Sequence, residues 1–509
     1  MSEFVVEPRE YTLDDFRDYL NHNPPVVLSG KARSRLERSH RVLQELLSRN
    51  DVTIYGVNTG FGKLSTVRIA AEDTATLQRN LVRSHAVGVG PPSDTEIVRL
   101  ALLLKVIALC QGYSGVRPEL VDLLVLFLNG DALPVVPSQG SVGASGDLAP
   151  FAHVALALMG EGEMVRAGAI APAREVLGAL GLEPLVLQAK EGLALLNGTQ
   201  YSTALGIVSA VKLHNLVRAA DVIGALSVDG LMGSPGPFRK EVHALKKHAG
   251  QQASAANLYN LMEGSTIRES HRLGDSRVQD MYSMRCMPQV HGACRDSLAF
   301  AAQQLLQEAN SVSDNPLVFV DSGQVLSAGH FHGEATALAC DLAAIAAAEL
   351  GSISERRIFA LLAGNGGLPA FLVPQPGLNS GFMMLQVTAA ALVSENKTLA
   401  HPASVDSIPM SDDQEDHVPM SAWAGQKLLL IVANLEHILS FEYLAAVQAI
   451  DFHEGLEAGR GAMAAYRLLR DQSSFVEEDR LLAPDMAAAR NLIASGAVVA
   501  AAHAAVPLQ

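Results

Sequence analysis

Five long segments in the second half of the chain repeat apolar residues every three or four positions. They cover residues 203 to 228, 289 to 312, 333 to 363, 381 to 400 and 422 to 457. This spacing is typical of α-helices that bury one face. In the last segment, apolar side chains cover most of the helix circumference, with one stripe running from Leu428 to Ile438. The pattern therefore predicts long helices buried in a bundle.

The first 202 residues have a different texture, in which short periodic segments alternate with loops rich in Gly, Ser and Pro. Strand signals are confined to short apolar runs near residues 125 to 137 and 317 to 326. We predict a mainly α fold, an elongated bundle of long helices with a smaller mixed, loop-rich N-terminal part. The predicted domains are residues 1–202 and 203–509. Alanine-rich strips such as residues 337 to 350 allow close backbone approach and favour self-association.

The charge balance excludes several classes of partner. The chain has 38 Lys and Arg against 53 Asp and Glu, a net charge of -15. A chain this acidic repels nucleic acids and anionic membrane surfaces. The start of the chain lacks the order of an export signal, and apolar runs such as residues 120 to 128 are too short to span a membrane. We expect a cytoplasmic protein without nucleic-acid or membrane partners.

The cysteines are scattered along the chain and form no CxxC pair. They are Cys110, Cys286, Cys294 and Cys340. This spacing indicates neither a disulfide framework nor a cysteine zinc site, which fits a reducing compartment.

Three segments resemble familiar motifs, but each lacks a residue that the motif requires. Residues 55 to 65 resemble a phosphate-binding loop, but Leu64 stands where Ser or Thr would bind magnesium. Residues 143 to 147 resemble a nucleophile elbow, but Asp147 replaces its last glycine. His330 and His332 could be metal ligands, yet no spacing identifies a third ligand. We therefore predict no nucleotide and no metal.

The segment from Gly140 to Asp147 consists almost entirely of small residues and precedes an apolar helical pattern. Within it, Ala144-Ser145-Gly146 can close on itself. The amide nitrogen of Gly146 is not crowded by a Cβ and can reach the carbonyl carbon of Ala144, while the Ser145 hydroxyl can leave as water. The alternative is an ordinary loop in which Ser145 or Asp147 caps the helix, and these residues alone favour that alternative.

Taken together, the motifs resemble the aromatic amino acid ammonia-lyases and aminomutases. The matching blocks are YGVNTGFG (55–62), NLVRSHAVGVG (80–90), GSVGASGDLAP (140–150), EGLALLNGT (191–199), YSMRCMPQV (282–290), SDNPLV (313–318), GLNSGFM (377–383) and QEDHV (414–418). The resemblance implies a fumarase/aspartase-like helical homotetramer with active sites built from more than one subunit. It also implies that Ala144, Ser145 and Gly146 become 4-methylideneimidazole-5-one (MIO). The GSxxMPxKxN signature of the fumarase-type lyases themselves is absent.

The resemblance also implies roles for single residues. Tyr55 matches the base that removes the β-proton, a task that needs a group more basic than a carboxylate. Arg285 matches the partner of the substrate carboxylate, because its planar fork makes two parallel hydrogen bonds. The remaining implied positions surround the MIO group, the amine and the pocket: Asn197, Tyr282, Gln279, Asn315 and Phe331.

Two positions bear on the substrate. His85 and Glu415 are similar to residues of the family members that act on histidine, and a polar pair suits an imidazole ring while rejecting a benzene ring. We therefore expect elimination of ammonia from L-histidine to give trans-urocanate, a step of histidine catabolism. His330, Asp413 and Met281 depart from the usual family pattern. The alternatives are a phenylalanine or tyrosine ammonia-lyase, a 2,3-aminomutase, and an inactive protein that keeps the lyase fold.

Overall fold

The computed structural model describes residues 3–49, 53–275 and 277–509. The helices within these ranges are α1 (Leu13–His22), α2 (Gly30–Leu47), α3 (Thr74–His85), α4 (Thr95–Cys110), α5 (Pro118–Asn129), α6 (Leu148–Leu158), α7 (Ala173–Ala179), α8 (Glu191–Leu196), α9 (Gln200–Gly230), α10 (Lys240–His243), α11 (Ala249–Leu261), α12 (Thr266–Ser270), α13 (Tyr282–Arg285), α14 (Met287–Ala309), α15 (Glu334–Leu362), α16 (Met383–Leu399), α17 (Ser421–Asp451), α18 (Arg460–Arg470), α19 (Ala483–Ala494) and α20 (Ala497–Ala505). Short 3-10 turns lie at Gly62–Thr66, Ala71–Asp73, Gly236–Phe238, Asn365–Gly367 and Ala370–Leu372. The prediction of a mainly α fold is confirmed.

The strands are short and form small separate sheets. They are β1 (Phe4–Val6), β2 (Val26–Leu28), β3 (Val89–Pro92), β4 (Ala132–Pro134), β5 (Pro137–Gln139), β6 (Glu163–Arg166), β7 (Ala169–Pro172), β8 (Leu317–Phe319) and β9 (Gln324–Leu326). β1 and β2 pair in parallel, with Phe4 opposite Val26. The antiparallel sheets are β3 with β5, the sheet of order β4-β6-β7, and β8 with β9.

The five predicted long segments correspond to α9, α14, α15, α16 and α17, and the predicted bounds differ by six residues at most. The largest difference is at the end of α17, which stops at Asp451 instead of residue 457. Gly455, at a φ of 73°, lies in the loop that follows. The apolar period therefore located these helices well, because each must bury most of its surface.

The two strand signals had different outcomes. Residues 317 to 326 form the β8-β9 hairpin, as the turn between two apolar runs predicted. The signal at 125 to 137 was wrong in its first half, because residues 125 to 129 are the end of helix α5. Pro118 occupies the first turn of this helix, where proline is well tolerated. Only residues 132 to 134 and 137 to 139 of that run are strands.

Two compact units make up the chain, and both are discontinuous in sequence. The first contains Met1–Val208, Ala302–Asp341 and Pro402–Gln426, and the second contains Ser209–Ala301, Leu342–His401 and Lys427–Gln509. The predicted division into domains 1–202 and 203–509 stays a prediction.

In the first unit, α4 is buried from Ile97 to Cys110 and α8 is buried along its full length. Helices α3, α6 and α8 pack against one another. The loop that precedes α6 and the loop that follows α8 are therefore each attached to a well-packed helix.

Two helices, Glu334–Leu362 and Ser421–Asp451, have the length and apolar composition of a membrane span. In each, 72% of the most apolar window is buried inside the structure. That burial is what the core helices of a bundle show.

Candidate active site

A cavity of 1410 Å³ lies in the first unit. It is lined by most of the residues that the sequence singled out: Tyr55, His85, Ala144, Ser145, Asn197, Asn315, Phe331 and Glu415. These residues come from positions spread over 360 residues of sequence, from 55 to 415. The fold thus brings the small-residue tripeptide, the tyrosine and the polar pair to one space.

The tripeptide is held by a close backbone contact at Gly146. Its φ is 80°, and a Cβ at this position would lie 2.3 Å from the carbonyl oxygen of Gly198. Gly146 and Gly198 form a parallel bridge, next to which the Asp147 amide donates to the Gly198 carbonyl at 2.8 Å. Only glycine fits here, because a side chain would meet both the strain of a left-handed backbone and a steric clash.

Asp147 stands at the N-cap position of α6, but its side chain does not cap the helix. Its carboxylate accepts hydrogen bonds from the Ser202 amide at 2.8 Å and from the hydroxyls of Ser202 and Ser141 at 2.6 and 2.9 Å. Burial raises the pKa of this carboxyl, and the hydrogen bonds oppose that effect. The capping alternative for Asp147 and Ser145 is therefore wrong, since Asp147 instead anchors the loop to α9.

Ser145 points to the polar end of the cavity. Its hydroxyl donates to Oε1 of Glu415 at 2.9 Å, and the Ser411 hydroxyl donates to Oε2 of the same carboxylate at 3.0 Å. Glu415 is half-buried, unlike its exposed neighbours Asp413 and Asp416. The carboxylate is thus oriented into the cavity and is not a solvated loop charge.

His85 ends helix α3 at the cavity wall. Its Nδ1 lies 2.8 Å from the carbonyl oxygen of Leu81 and 3.1 Å from the Ser84 hydroxyl. A carbonyl oxygen only accepts, so Nδ1 carries the proton and Nε2 keeps a lone pair. The ring can therefore accept a hydrogen bond through Nε2.

Tyr55 lies in the glycine-rich loop. Its phenol oxygen accepts a hydrogen bond from the Gly62 amide at 3.0 Å, and its ring meets Phe61 edge to face at 6.4 Å. A donated amide hydrogen bond stabilises negative charge on the phenol oxygen. The loop thus fixes the phenol oxygen at the cavity wall.

Asn197 and Asn315 belong to a buried polar network beneath the cavity wall. The Asn197 side-chain amide donates to the Asn315 carbonyl at 2.7 Å, and Oδ1 of Asn315 accepts from the Ala328 amide at 2.8 Å. Asp314 accepts a hydrogen bond from Nζ of Lys190 at 2.6 Å, within a buried ion pair. Both asparagines are therefore held rigidly.

The other predicted site residues belong to the second unit. Gln279 and Arg285 line a separate cavity of 470 Å³. Tyr282 begins α13 and is 71% exposed, and the Arg285 guanidinium lies 4.7 Å from the centre of its ring. The Nε atom of Arg285 is buried and has no hydrogen-bond partner among the described residues.

Comparison with known proteins decides the family. The sequence profile of the family described as aromatic amino acid lyase matches residues 11–471. The chain is also 50% identical over 505 residues to a histidine ammonia-lyase of Deinococcus radiodurans, covering 98% of this chain and 95% of the relative. This chain belongs to the aromatic amino acid lyase family. The predicted resemblance is confirmed.

Solved structures of this lyase family agree with the fold. Histidine ammonia-lyase from Trypanosoma cruzi has a TM-score of 0.92 at 38% identity, over 99% of this chain and 96% of that one. Tyrosine aminomutase from Streptomyces globisporus has a TM-score of 0.94 at 34% identity, over the full length of both chains. The helical lyase fold thus spans the whole protein.

The sequence reasoning missed Lys105 in this lyase. Its side chain is buried in α4, and its Nζ donates to the carbonyl of Asn197 at 2.5 Å and to that of Ala194 at 3.5 Å. Burial lowers the pKa of Lys105 to about 7, while Asp314 and Asp147 oppose that shift. A single lysine inside the apolar run LLLKVIALC was the signal that could have found it, because lysine is almost never fully buried without a reason.

Proposed function

We propose that this protein eliminates ammonia from L-histidine to give trans-urocanate. The observation that carries the proposal is the cavity in which His85 and Glu415 stand beside the Ala144-Ser145-Gly146 tripeptide. Two relatives of high coverage are histidine ammonia-lyases, which supports the same substrate. The reaction class follows from the family.

The tripeptide fits the MIO group. In forming it, the Gly146 nitrogen attacks the Ala144 carbonyl carbon with loss of one water, and Ser145 loses its hydroxyl as a second water. The absence of a Cβ at Gly146 allows its tight contact with Gly198 and leaves its nitrogen uncrowded. Asp147, bound to Ser202, and the α6 helix support the loop, and the proposed chemistry uses no metal or nucleotide.

The MIO group, once formed, supplies an electrophile that withdraws electrons so that the amine becomes a leaving group. Tyr55 then removes the β-proton. Its phenol oxygen accepts a hydrogen bond from the Gly62 amide, which holds the side chain in place. Asn197 lies at the cavity wall with its side-chain amide committed to Asn315. The proton and the amine together leave as ammonia.

His85 and Glu415 orient the ring of the substrate. With the substrate ring in its imidazolium form, the Nε2 lone pair of His85 accepts one ring N–H and the Glu415 carboxylate accepts the other. Loss of the Ser145 hydroxyl on maturation frees Oε1 of Glu415 for that contact. A benzene ring would leave both polar groups without partners, which costs about 1–3 kcal/mol for each. Phe331 also lines this cavity.

The active enzyme is proposed to be a homotetramer whose active sites combine residues of different subunits. Arg285, Tyr282 and Gln279 would enter the cavity of another subunit, where Arg285 binds the substrate carboxylate with help from Asn315. The segment around them exposes apolar side chains, with Leu273 at 91% and Val278 at 100% exposure. Burial of this segment against another copy would remove that apolar surface from water.

Two measurements test the proposal on the purified full-length protein. Intact mass spectrometry should give a chain lighter than the encoded polypeptide by two water molecules, and peptide mapping should place the loss in residues 140 to 150. Incubation with L-histidine should release ammonia and urocanate. A linear tripeptide would contradict MIO formation and would support an inactive protein with the lyase fold.

Substrate choice is tested with a panel of amino acids and with variants. We expect Glu415→Gln to lower kcat/KM for histidine at least ~10-fold, since a charge-assisted hydrogen bond is lost, while Asp413→Asn, in the same loop but exposed, changes it less than ~2-fold. Phenylalanine or tyrosine as the better substrate, or a β-amino acid product, would instead support the other lyases or an aminomutase. A cytoplasmic place in histidine catabolism is the cellular setting that this activity suggests.

A further inference from the structure

Three metal-ligating side chains meet beside the active-site cavity. They are His332, Glu334 and His417, and one nitrogen or oxygen atom of each lies within 4.8 Å of those of the other two. His332 and His417 line the cavity together with Glu415. The proposed lyase reaction uses none of the three. The sequence offered no third ligand for His332 because His417 is 85 residues away along the chain.

Glu334 provides a second observation that points to a ligand. Its Oε2 atom is buried and has no hydrogen-bond partner within the described ranges. A buried carboxylate oxygen without a partner loses its hydration, and the N-terminus of α15, where Glu334 lies, offsets only part of that cost. A bound cation would supply the missing partner.

The orientation of His332 leaves one ring nitrogen available. Its Nε2 lies 3.2 Å from the backbone carbonyl oxygen of His417, so Nε2 carries the proton and Nδ1 keeps a lone pair. A hydrogen bond from the other ring nitrogen to a carbonyl is the usual support for a metal-binding histidine. The two imidazole rings are 5.9 Å apart and tilted by 33°, which allows their edges to converge.

We propose that His332, Glu334 and His417 bind a divalent transition-metal ion, with Zn²⁺ as the preferred class. Two imidazoles and one carboxylate are a known zinc ligand set that leaves a fourth position open. Tetrahedral bonds of about 2.1 Å place ligand atoms roughly 3.4 Å apart, so side-chain rotations of about 1 Å complete the site. Asp416 and Asp413, close in sequence to His417, add negative charge that favours a cation.

The test uses tag-free protein that has been treated with a chelator and then titrated with Co²⁺ in the absence of histidine. We expect one Co²⁺ per chain, visible absorption bands of four- or five-coordinate cobalt, and displacement by one equivalent of Zn²⁺. No thiolate charge-transfer band should appear, because no cysteine belongs to the cluster. A thiolate band, or no binding below ~1 mM, would overturn the proposal.

Variants then locate the ion. His417→Gln and Glu334→Gln should each weaken Co²⁺ binding at least ~10-fold. The matched control is His330→Gln, an exposed histidine two residues from His332 that lies outside the cluster. Equal binding by His417→Gln and the original protein, or an equal loss in His330→Gln, would overturn the proposal.

A measurement on the unaltered chain decides the case even where a variant fails to fold. X-ray absorption of the zinc-loaded protein should show two imidazole ligands with oxygen in the remaining positions. Sulfur in the first coordination shell, or a single imidazole, would reject the site. Both readouts are independent of catalysis, so their failure is distinguishable from failure of the proposed lyase activity.

Discussion

An ion pair in the second unit and two charged groups near the cavity of the first unit are buried in different ways. In the second unit, Arg357 and Glu442 are fully buried and bind each other through two hydrogen bonds, at 2.5 Å to Oε1 and 2.9 Å to Oε2. The hydroxyls of Ser227 and Ser354 donate to the same carboxylate at 2.7 and 2.6 Å. Every oxygen of the buried carboxylate is therefore satisfied by donors of matching geometry.

In the first unit, two buried charged groups near the cavity are held by dipoles, in contrast to the Lys190–Asp314 ion pair beside them. Lys105 donates to the backbone carbonyls of Asn197 and Ala194. Asp147 is bound by hydroxyls and an amide. Dipoles offset less of the cost of burying a charge than an ion of opposite charge does. Burial therefore lowers the pKa of Lys105 and raises that of Asp147. Such arrangements are typical of functional sites.

Gly146→Ala has the largest expected effect, at the residue next to the buried Asp147. The new Cβ would lie 2.3 Å from the Gly198 carbonyl oxygen at a φ of 80°. We expect the chain to fold but to keep the two waters in its intact mass, and kcat to fall at least ~1000-fold because the electrophile is missing.

Gly168→Ala is the matched control. Gly168 has a φ of 78°, and a Cβ added there would meet no heavy atom within 4 Å, so it shares the backbone strain without the clash. We expect a stability cost of about 1 kcal/mol and normal maturation. Maturation and activity of Gly146→Ala close to those of Gly168→Ala would remove the special status of the tripeptide.

Glu442→Ala probes the second unit. Removal of the carboxylate leaves Arg357 buried and unpaired, so we expect a loss of about 3–5 kcal/mol in the free energy of unfolding. The measurement is denaturant unfolding at a fixed protein concentration. The protein that stays folded should keep its kcat within ~3-fold, since neither residue lines the cavity and Arg357 can still donate to the Ser283 carbonyl at 3.3 Å. A selective loss of kcat with unchanged stability would show that this pair serves the active site and not the fold.

Lys105→Met probes the first unit through pH. Burial lowers the pKa of Lys105 in the folded chain from 10.5 to about 7. Between those values the unfolded chain binds the extra proton, so the free energy of unfolding should rise with pH, by up to about 1.4 kcal/mol per pH unit. Below about pH 7 the full cost of burying the charge is present. The Met variant should lack this rise.

The measurement is the difference in unfolding free energy between the original protein and Lys105→Met at several pH values above neutrality. Lys246→Met, at an exposed lysine, is the control and should give a flat difference. The dependence of kcat on pH should also change in Lys105→Met, because the Asn197 carbonyl loses its hydrogen-bond donor. A flat difference for Lys105→Met would show that its charge is better compensated than the contacts indicate.

The sequence predicted the long helices because apolar period is a local property of each segment. It failed at residues 125 to 129, where an apolar run fits a helix or a strand equally well and tertiary packing decides. The cavity was beyond local patterns, since Tyr55, Asn197 and Glu415 meet only in the folded chain. Their grouping came from the family resemblance.

Contacts between distant segments explain what the sequence could not reveal. The cluster of His332, Glu334 and His417 needs two segments to meet, whereas the sequence had indicated only His330 and His332. The partners of Lys105 lie about 90 residues away, so only the oddity of a lysine in an apolar run was visible. The placement of Gln279, Tyr282 and Arg285 in the second unit likewise has no signature in their own motif.

The smallest expected effect belongs to an exposed ion pair of the second unit. Arg460 and Glu263 lie 2.6 Å apart, with 63% and 61% of their side chains exposed. Water screens the pair, so a double-mutant cycle with Arg460→Met and Glu263→Gln should give a coupling energy below about 1 kcal/mol that shrinks further in high salt. The Arg357–Glu442 pair has the same charges and a similar distance but is buried. A coupling energy for the exposed pair as large as that of the buried pair would mean that burial is not what separates structural charges from solvated ones in this protein.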